Sequence, residues 1–249
     1  MNASPAVAVV TGASRGLGQA LGAQLLASGA TVITLARNQN PELAEVAARH
    51  GARLHELQAD LSQTASIEAA AQRLSTALSA DAARYLLINN AGTVDPVALS
   101  DSLSDAAAIE RAFNLNVTAP MVLTAAFLRS APAAADRRII NISSGAGRKP
   151  TAGWPVYCAT KAALDHYTRV LATENPGLRV ASLAPGVIDT AMQAHIRSSD
   201  RQHFPDLDRF LQLHQHGQLA SADAVARKIL NHVVSDAFGH ELIDDIRNY

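Results

Sequence analysis

The sequence predicts an α/β fold: a doubly wound, mostly parallel sheet of about seven strands with helices on both faces. Three observations carry that expectation. Short, nearly continuous apolar runs alternate with Ala-rich segments of helical spacing, and strands apolar on both faces belong in a parallel sheet covered on both sides. A glycine-rich turn joins the first apolar run to the first helical segment. The 249 residues are 48% hydrophobic, with no linker-like Pro/Ser/Gly tract and no short repeat, which suits one domain spanning the whole chain.

The elements follow in order. Ala6–Thr11 is an apolar run of strand length, and Leu17–Ser28 follows it with helical spacing. Thr31–Ala36 and Pro41–His50 repeat the pair, then Arg53–Gln58 and Ser66–Ser79, then Tyr85–Asn89 and the long helical segment Asp105–Arg129. Arg138–Ile142 precedes the helical segment Val156–Glu174, Arg179–Ala184 precedes Ala222–Val234, and Glu241–Asp244 is the last strand expected. The segment Thr190–Ala220 interrupts the alternation. It is richer in His, Arg, Gln and Asp and holds Phe204 and Phe210. It is expected as a lid-like insertion, about residues 190–220, over the carboxyl edge of the sheet. The two phenylalanines would pack it on the body.

The net charge of -1 leaves no basic excess for nucleic acid. One cysteine, Cys158, excludes an intrachain disulfide framework and suits a reducing compartment. Beside Tyr157 it has no base or metal-like partner, so a packed thiol is expected. Met1 to Pro5 is short, polar and runs straight into a strand-like segment, so no signal peptide is expected. The apolar runs are too short or too Gly-interrupted to span a bilayer. A soluble cytoplasmic protein follows. His214 and His216 do not share a helix face, and no metal site is expected.

Thr11-Gly12-Ala13-Ser14-Arg15-Gly16-Leu17-Gly18 follows the first strand and opens the first helix. Glycines there permit a tight turn, close approach of backbone to a pyrophosphate and tight helix–strand contact, while the helix start offers free N–H groups. A Rossmann-type dinucleotide site is therefore expected; the alternative is a glycine-rich turn without a ligand. A site for NAD wants an acid at the end of the second strand, but that end reads Leu35-Ala36-Arg37-Asn38. Arg37 and Arg15 suit a 2′-phosphate, so NADP(H) is expected; the alternative leaves both as solvated surface residues. Asp60-Leu61 follows the third strand, where Asp60 either accepts from an adenine amino group or serves as a turn residue. Asn89-Asn90-Ala91-Gly92 ends the fourth strand: Asn90, Ala91 and Gly92 would lie beside the cofactor, and Asn89 would bridge strands. Pro185-Gly186-Val187-Ile188-Asp189-Thr190 ends the sixth, where Pro185, Gly186, Ile188 and Thr190 would meet the nicotinamide end unless the turn is a plain one.

Tyr157 and Lys161 are four residues apart and share one helix face. An ammonium held against a phenol lowers its pKa and makes it a usable proton donor; the alternative is an amphipathic surface pair. Asn116 falls inside a helical pattern, where Asn is unfavourable unless exposed or used.

Together these motifs resemble the short-chain dehydrogenase/reductase family over nearly the whole chain. The matches are Gly12, Gly16, Gly18, Asp60, Asn89 to Gly92, Asn116, Ser144, Tyr157, Lys161 and Pro185-Gly186. The resemblance implies that Asn116, Ser144, Tyr157 and Lys161 are catalytic, with Ser144 preferred over Ser143 for its distance from the tyrosine. It implies that Tyr157 and Lys161 also contact the cofactor, that Lys161 holds the ribose hydroxyls, and that Asn116 holds a water linking Lys161 to solvent. It further implies a homodimer or homotetramer paired through the long helices. Within the family, Gly153 to Ala159, Asp189 to Gln193 and Ile243 to Arg247 look like the sepiapterin reductase and benzil-reductase-like branch. There a C-terminal Asp grips a pterin, and Asp244 is the nearest match. A diketone or related carbonyl is preferred as substrate, with Ser144, Trp154 and Met192 on the substrate side. The expected function is NADPH-dependent carbonyl reduction. The alternatives are a non-catalytic NADP-binding regulatory protein, disfavoured by the intact Ser144, Tyr157, Lys161 and Asn116, and an NAD-dependent alcohol dehydrogenase, disfavoured by Ala36 and Arg37.

Overall fold

Strand order decides where a ligand can sit. The computed structural model describes residues 6–78 and 82–249. Seven strands, β1 (Ala6–Thr11), β2 (Thr31–Ala36), β3 (Leu54–Gln58), β4 (Arg84–Asn89), β5 (Asp136–Ile142), β6 (Arg179–Ala184) and β7 (Ile243–Asp245), form one sheet in the order β3-β2-β1-β4-β5-β6-β7. Every pairing is parallel, with Val7 opposite Thr31 on one side and Tyr85 on the other. The order reverses at β1, so the connections leaving the carboxyl ends of β1 and β4 diverge to opposite faces and open a crevice between them.

Helices α1 (Gly16–Ala27), α2 (Pro41–His50), α3 (Thr64–Ala77), α4 (Ala106–Phe113), α5 (Ala119–Ser130), α6 (Pro155–Glu174), α7 (Ala191–Arg197), α8 (Leu207–Gln215) and α9 (Ala222–Val234) cover the sheet and its carboxyl edge. Alternate strand residues feed two cores. Val10, Val32, Leu86, Ile140 and Leu183 pack with Leu21 and Leu26 of α1 and Ile229 and Val233 of α9. Val9, Ile33, Leu87, Ile139 and Val180 pack with Ile67 and Leu74 of α3 and Leu123 and Phe127 of α5. Each such side chain contributes roughly 1.5–3 kcal/mol by leaving water, so the double burial anticipated from the near-continuous apolar strands is what holds the layers together. Local signals set the ends: Asn40 caps α2 by accepting from the Glu42 N–H, and Gly51 closes it in the left-handed region at φ 63.

Apart from one-residue shifts at several element ends, the structure departs from the expected elements in four places. β5 starts at Asp136, earlier than expected, because Asp136 bridges Arg84 on β4 at 2.7 Å and Arg138 on its own strand at 2.9 Å. β7 is Ile243–Asp245, shifted toward the C-terminus, with Leu183 opposite Asp244. α3 begins at Thr64, and its expected end at Ser79 lies outside the described residues, as does the expected polar start Met1 to Pro5. The single helix expected over Asp105–Arg129 is instead α4, a π-helical turn over Asn114–Thr118, and α5. Pro120 supplies the reason. It has no N–H to donate, and its ring would press on the carbonyl four residues back, that of Asn116; the wider turn relieves both.

Residues 190–220 fold as α7 and α8 at the carboxyl end of β6, and a bridge between Ile188 and Ala220 brings the chain back to where it left. Phe204 is fully buried and stacks on Trp154 at 4.8 Å, and Phe210 lies 5.3 Å from the same indole. No helix among the described residues is long and apolar enough to cross a membrane.

Candidate active site

A cleft of about 1300 Å³ runs along the carboxyl ends of the strands, from the glycine-rich turn to α8. At one end, Gly12 adopts φ +70 and lies so near β4 that a Cβ there would fall 2.9 Å from Ala91 Cα. Thr11 locks the two segments: its Oγ1 accepts from the N–H groups of Asn90 and Ala91, both at 2.9 Å, and its carbonyl accepts from Asn90 Nδ2 at 2.9 Å. Arg15 precedes α1 without a side-chain cap, so the first N–H groups of the helix are left for another acceptor. Arg15 and Arg37 are exposed on the cleft wall.

Farther along, Ser144, Tyr157 and Lys161 share one wall. Ser144 follows β5, and Tyr157 and Lys161 sit one helical turn apart on α6. Burial pushes the Tyr157 phenol above its ordinary value, and a hydrogen bond with Ser144 opposes it. Lys161 is buried; its Nζ donates to the Ile142 carbonyl at 2.7 Å and lies 5.7 Å from the centre of the Tyr157 ring. Burial drives its pKa down to about 8, and the Asp165 carboxylate acts against the fall. Asp165 accepts from Ser182 Oγ at 2.6 Å and Arg148 Nε at 3.2 Å, and Arg148 also donates to the Asp244 carbonyl at 2.9 Å. One buried carboxylate thus ties the Ser144 segment, α6, β6 and β7 together.

A family profile described as short chain dehydrogenase matches residues 6–201. The chain belongs to the short-chain dehydrogenase family. Benzil reductase ((S)-benzoin forming) of Bacillus cereus is 36% identical over 236 residues, covering 92% of this chain and 94% of that protein. Sepiapterin reductase of Meriones unguiculatus is 36% identical over 245 residues, covering 94% and 93%. A solved short chain dehydrogenase from Burkholderia cenocepacia J2315 in complex with NADP is 29% identical, covers 95% of this chain and 94% of that chain, and superposes with a TM-score of 0.74.

In this short-chain dehydrogenase the expected residues Gly12, Ser14, Arg15, Gly16, Leu17, Gly18, Arg37, Asp60, Leu61, Asn90, Ala91, Gly92, Pro185, Gly186, Ile188 and Thr190 all line the cleft, as do Trp154 and Met192. Four points of geometry differ from what was expected. Asn38 is exposed at the end of β2 and is not on the cleft wall. Asn116 is also off the wall: it is 1% exposed, its Oδ1 accepts from the Thr93 N–H, and its Nδ2 donates to the Thr93 carbonyl and Thr160 Oγ1. Its amide braces the turn after β4 against α6. The lowering of the Tyr157 pKa expected from its lysine does not arise among the protein's own groups, because burial dominates and the ammonium is aimed at the Ile142 carbonyl. Asp244 is buried away from the cleft, bound to Tyr249 and Asn248 and 3.8 Å from His232. Asp245 is the acid that reaches the cleft, and Arg247 holds both its oxygens.

Asp60 serves as the turn residue that one of its readings expected. It lines the cleft, yet its Oδ1 accepts from the Ser62 N–H and hydroxyl. Burial pushes its carboxyl up, but those bonds and the charge of Arg37 outweigh it and hold the group below its ordinary value. Asn89 bridges strands as expected, donating to Asn141 Oδ1 at 2.8 Å. Sequence reasoning missed the far end of the cleft, lined by Lys149, Arg209, Phe210, Arg247 and the Asp95–His195 pair at 2.7 Å. These residues come from separate loops and helices and share no spacing; the sole local hint was Asp245 and Arg247, two residues apart near the end of the chain.

Proposed function

We propose that this protein is an NADPH-dependent carbonyl reductase acting on a diketone-type substrate. The observation that carries the reading is the single wall formed by Ser144, Tyr157 and Lys161 in a cleft that begins at a glycine-rich strand–helix turn. The residues fit a dinucleotide. Gly12 leaves room that a Cβ would fill, α1 starts without a side-chain cap, and the buried Ser143 hydroxyl on the wall lacks a partner. Gly12 to Gly18 would hold the pyrophosphate, Arg15 and Arg37 the 2′-phosphate, Asn90 to Gly92 and Lys161 the ribose side, and Pro185 to Thr190 the nicotinamide end. The NADP in the Burkholderia cenocepacia relative supports that preference. When bound, the reduced nicotinamide supplies a hydride.

The chain supplies the rest. Ser144 and Tyr157 donate hydrogen bonds to the carbonyl oxygen and polarise it. Tyr157, kept protonated by its raised pKa, passes its phenolic proton to that oxygen as negative charge develops there. The Lys161 charge, 5.7 Å from the centre of the ring, then offsets part of the cost of burying the phenolate left behind, although burial keeps the net pKa raised. Met192, Trp154 and Phe210 form an apolar wall for the substrate body, which suits the diketone named for the Bacillus relative. A pterin fits less well, because Asp245 is already held bidentately by Arg247. The reading includes one domain with α7 and α8 closing as a lid, a cytoplasmic location, and a homodimer or homotetramer. Exposed Phe113 and Met121 on the α4–α5 side and Val170 on α6 support the last of these.

Following NADPH absorbance with diketones, aldehydes, quinones and sepiapterin, with NADH in parallel, tests the proposal: turnover of a diketone with NADPH is expected, and NADPH binding without turnover of any of these would remove it. Arg37→Ala is expected to weaken NADPH binding by roughly tenfold, within the 1–2 kcal/mol of a phosphate fork, and to leave NADH nearly unchanged. Equal losses for both cofactors in titrations would exclude Arg37 from the 2′ site. The pH profile has a defined sign. Reduction consumes a protonated phenol, which burial preserves through neutral pH, but it needs the Lys161 charge, which is lost as pH rises through about 8. Reduction should therefore be flat below that pH and fall above it; initial rates that stay level up to pH about 10 would remove the electrostatic role of Lys161.

A further inference from the structure

The aromatic end of the cleft carries more positive charge than carbonyl reduction requires. Tyr157, Trp154 and Phe210 form a chain of ring contacts, with 5.3 Å between the first two centroids and 5.3 Å between the last two. Arg209 extends that chain: its guanidinium lies over Phe210, 5.7 Å from the ring centroid, and the residue lines the cleft. Lys149, on the segment following Ser144, lines the same cleft. The acids at this end already have side-chain partners of their own. Asp95 lies 2.7 Å from His195, and Asp245 is held by Arg247. Arg148 is matched by Asp165. Among the described residues at this end of the cleft, Lys149 and Arg209 are left without a carboxylate partner.

We propose that the cleft selects carbonyl substrates with an aromatic body and a distal anionic group such as a carboxylate, with Arg209 as the specificity-determining residue and Lys149 as the supporting cation. The inference rests on the reductase reading and narrows its substrate class. A planar substrate whose carbonyl meets Ser144 and Tyr157 runs along Trp154 and Phe210, and its far end comes to the guanidinium. Contact with the Phe210 face limits the freedom of that guanidinium, so less order is lost when it pairs with a carboxylate. The phosphates of a dinucleotide do not compete for it, since the start of α1, Arg15 and Arg37 serve them elsewhere on the wall.

The test compares 4-carboxybenzil with its methyl ester, which differ in charge far more than in shape. The acid is expected to show a kcat/KM at least about tenfold above the ester, the value of one charge-assisted contact. Arg209→Gln is expected to cut that ratio about tenfold, and added salt should lower it in the native protein because both cations are exposed. Trp154 is the sole tryptophan, so quenching of its fluorescence reads binding of the two probes without turnover. Equal kcat/KM for acid and ester, or a ratio unchanged in Arg209→Gln, overturns the inference. If neither probe is reduced with NADPH yet the acid quenches Trp154 at lower concentration than the ester, and Arg209→Gln removes that difference, the anion site stands and the reductase reading fails.

Discussion

Tyr157→Phe is expected to lower the rate of carbonyl reduction by about 10²–10⁴-fold, the usual contribution of a positioned acid. The substitution removes one hydroxyl and nothing else. The ring keeps its packing, edge-on to Trp154 at 5.3 Å, and α6 keeps the rest of its buried face. Two bonds are lost: the donor to the carbonyl oxygen and the hydrogen bond with Ser144. NADPH affinity should change little, because Lys161 retains its own anchor on the Ile142 carbonyl. Stopped-flow turnover beside a cofactor titration separates the two quantities. A variant that binds NADPH and still reduces at near-native rate would eliminate the proton-donor role. Ser144→Ala is a useful companion, since it leaves the phenol without its counterweight to burial and should cost rate without restoring what Tyr157→Phe has lost.

Gly18→Ala is expected to cost about 1–3 kcal/mol of stability, the range for overpacking, and to weaken NADPH binding by at least about tenfold. A Cβ at Gly18 would lie 2.2 Å from the Gly12 carbonyl oxygen and 2.6 Å from Asn90 Nδ2. Neither neighbour can yield cheaply. The first is backbone of the tight turn, and the second donates to the Thr11 carbonyl that joins β1 to β4. The first turn of α1 must therefore move away from the strand, carrying with it the N–H groups that would face a pyrophosphate. Gly22→Ala on the same helix is the control. Its Cβ would meet the Leu43 side-chain methyls at 3.3 and 3.4 Å, which can shift, and Ala is the better helix former. Thermal melts and NADPH titrations of the pair should diverge; similar behaviour would mean that Gly18 matters only through helix propensity.

The parts of the site that could be read in advance are those in which one short segment carries its own chemistry. The glycine-rich turn, the Tyr157–Lys161 spacing and the serine pair after β5 are local patterns, and the structure brings them to one cleft. Asn116 was legible in one respect: a mid-helix Asn had to be exposed or used, and it is used. Its partners Thr93 and Thr160 lie far off in sequence and carried no signal, whereas Pro120 could have revealed the break in the helix. The doubled acid near the C-terminus shows the opposite limit. Asp244 and Asp245 are equivalent as sequence, but successive strand residues face opposite sides, so pairing of Leu183 with Asp244 sends one to a buried cluster with His232 and Tyr249 and the other to the cleft.

The layered parallel fold, the place of the glycine-rich turn and the spacing of Tyr157 and Lys161 were legible along the chain, because apolar periodicity and short motifs act over a few residues; the choice of Ser144 over Ser143 came from the family resemblance. Tertiary structure decided the rest. Burial raises the Tyr157 pKa and brings Lys161 to about 8 against the pull of Asp165. It also decides which charges face the cleft already paired and which, like Arg209, remain available. Desolvation and Coulomb energy depend on distances across the fold, and no spacing along the chain encodes them.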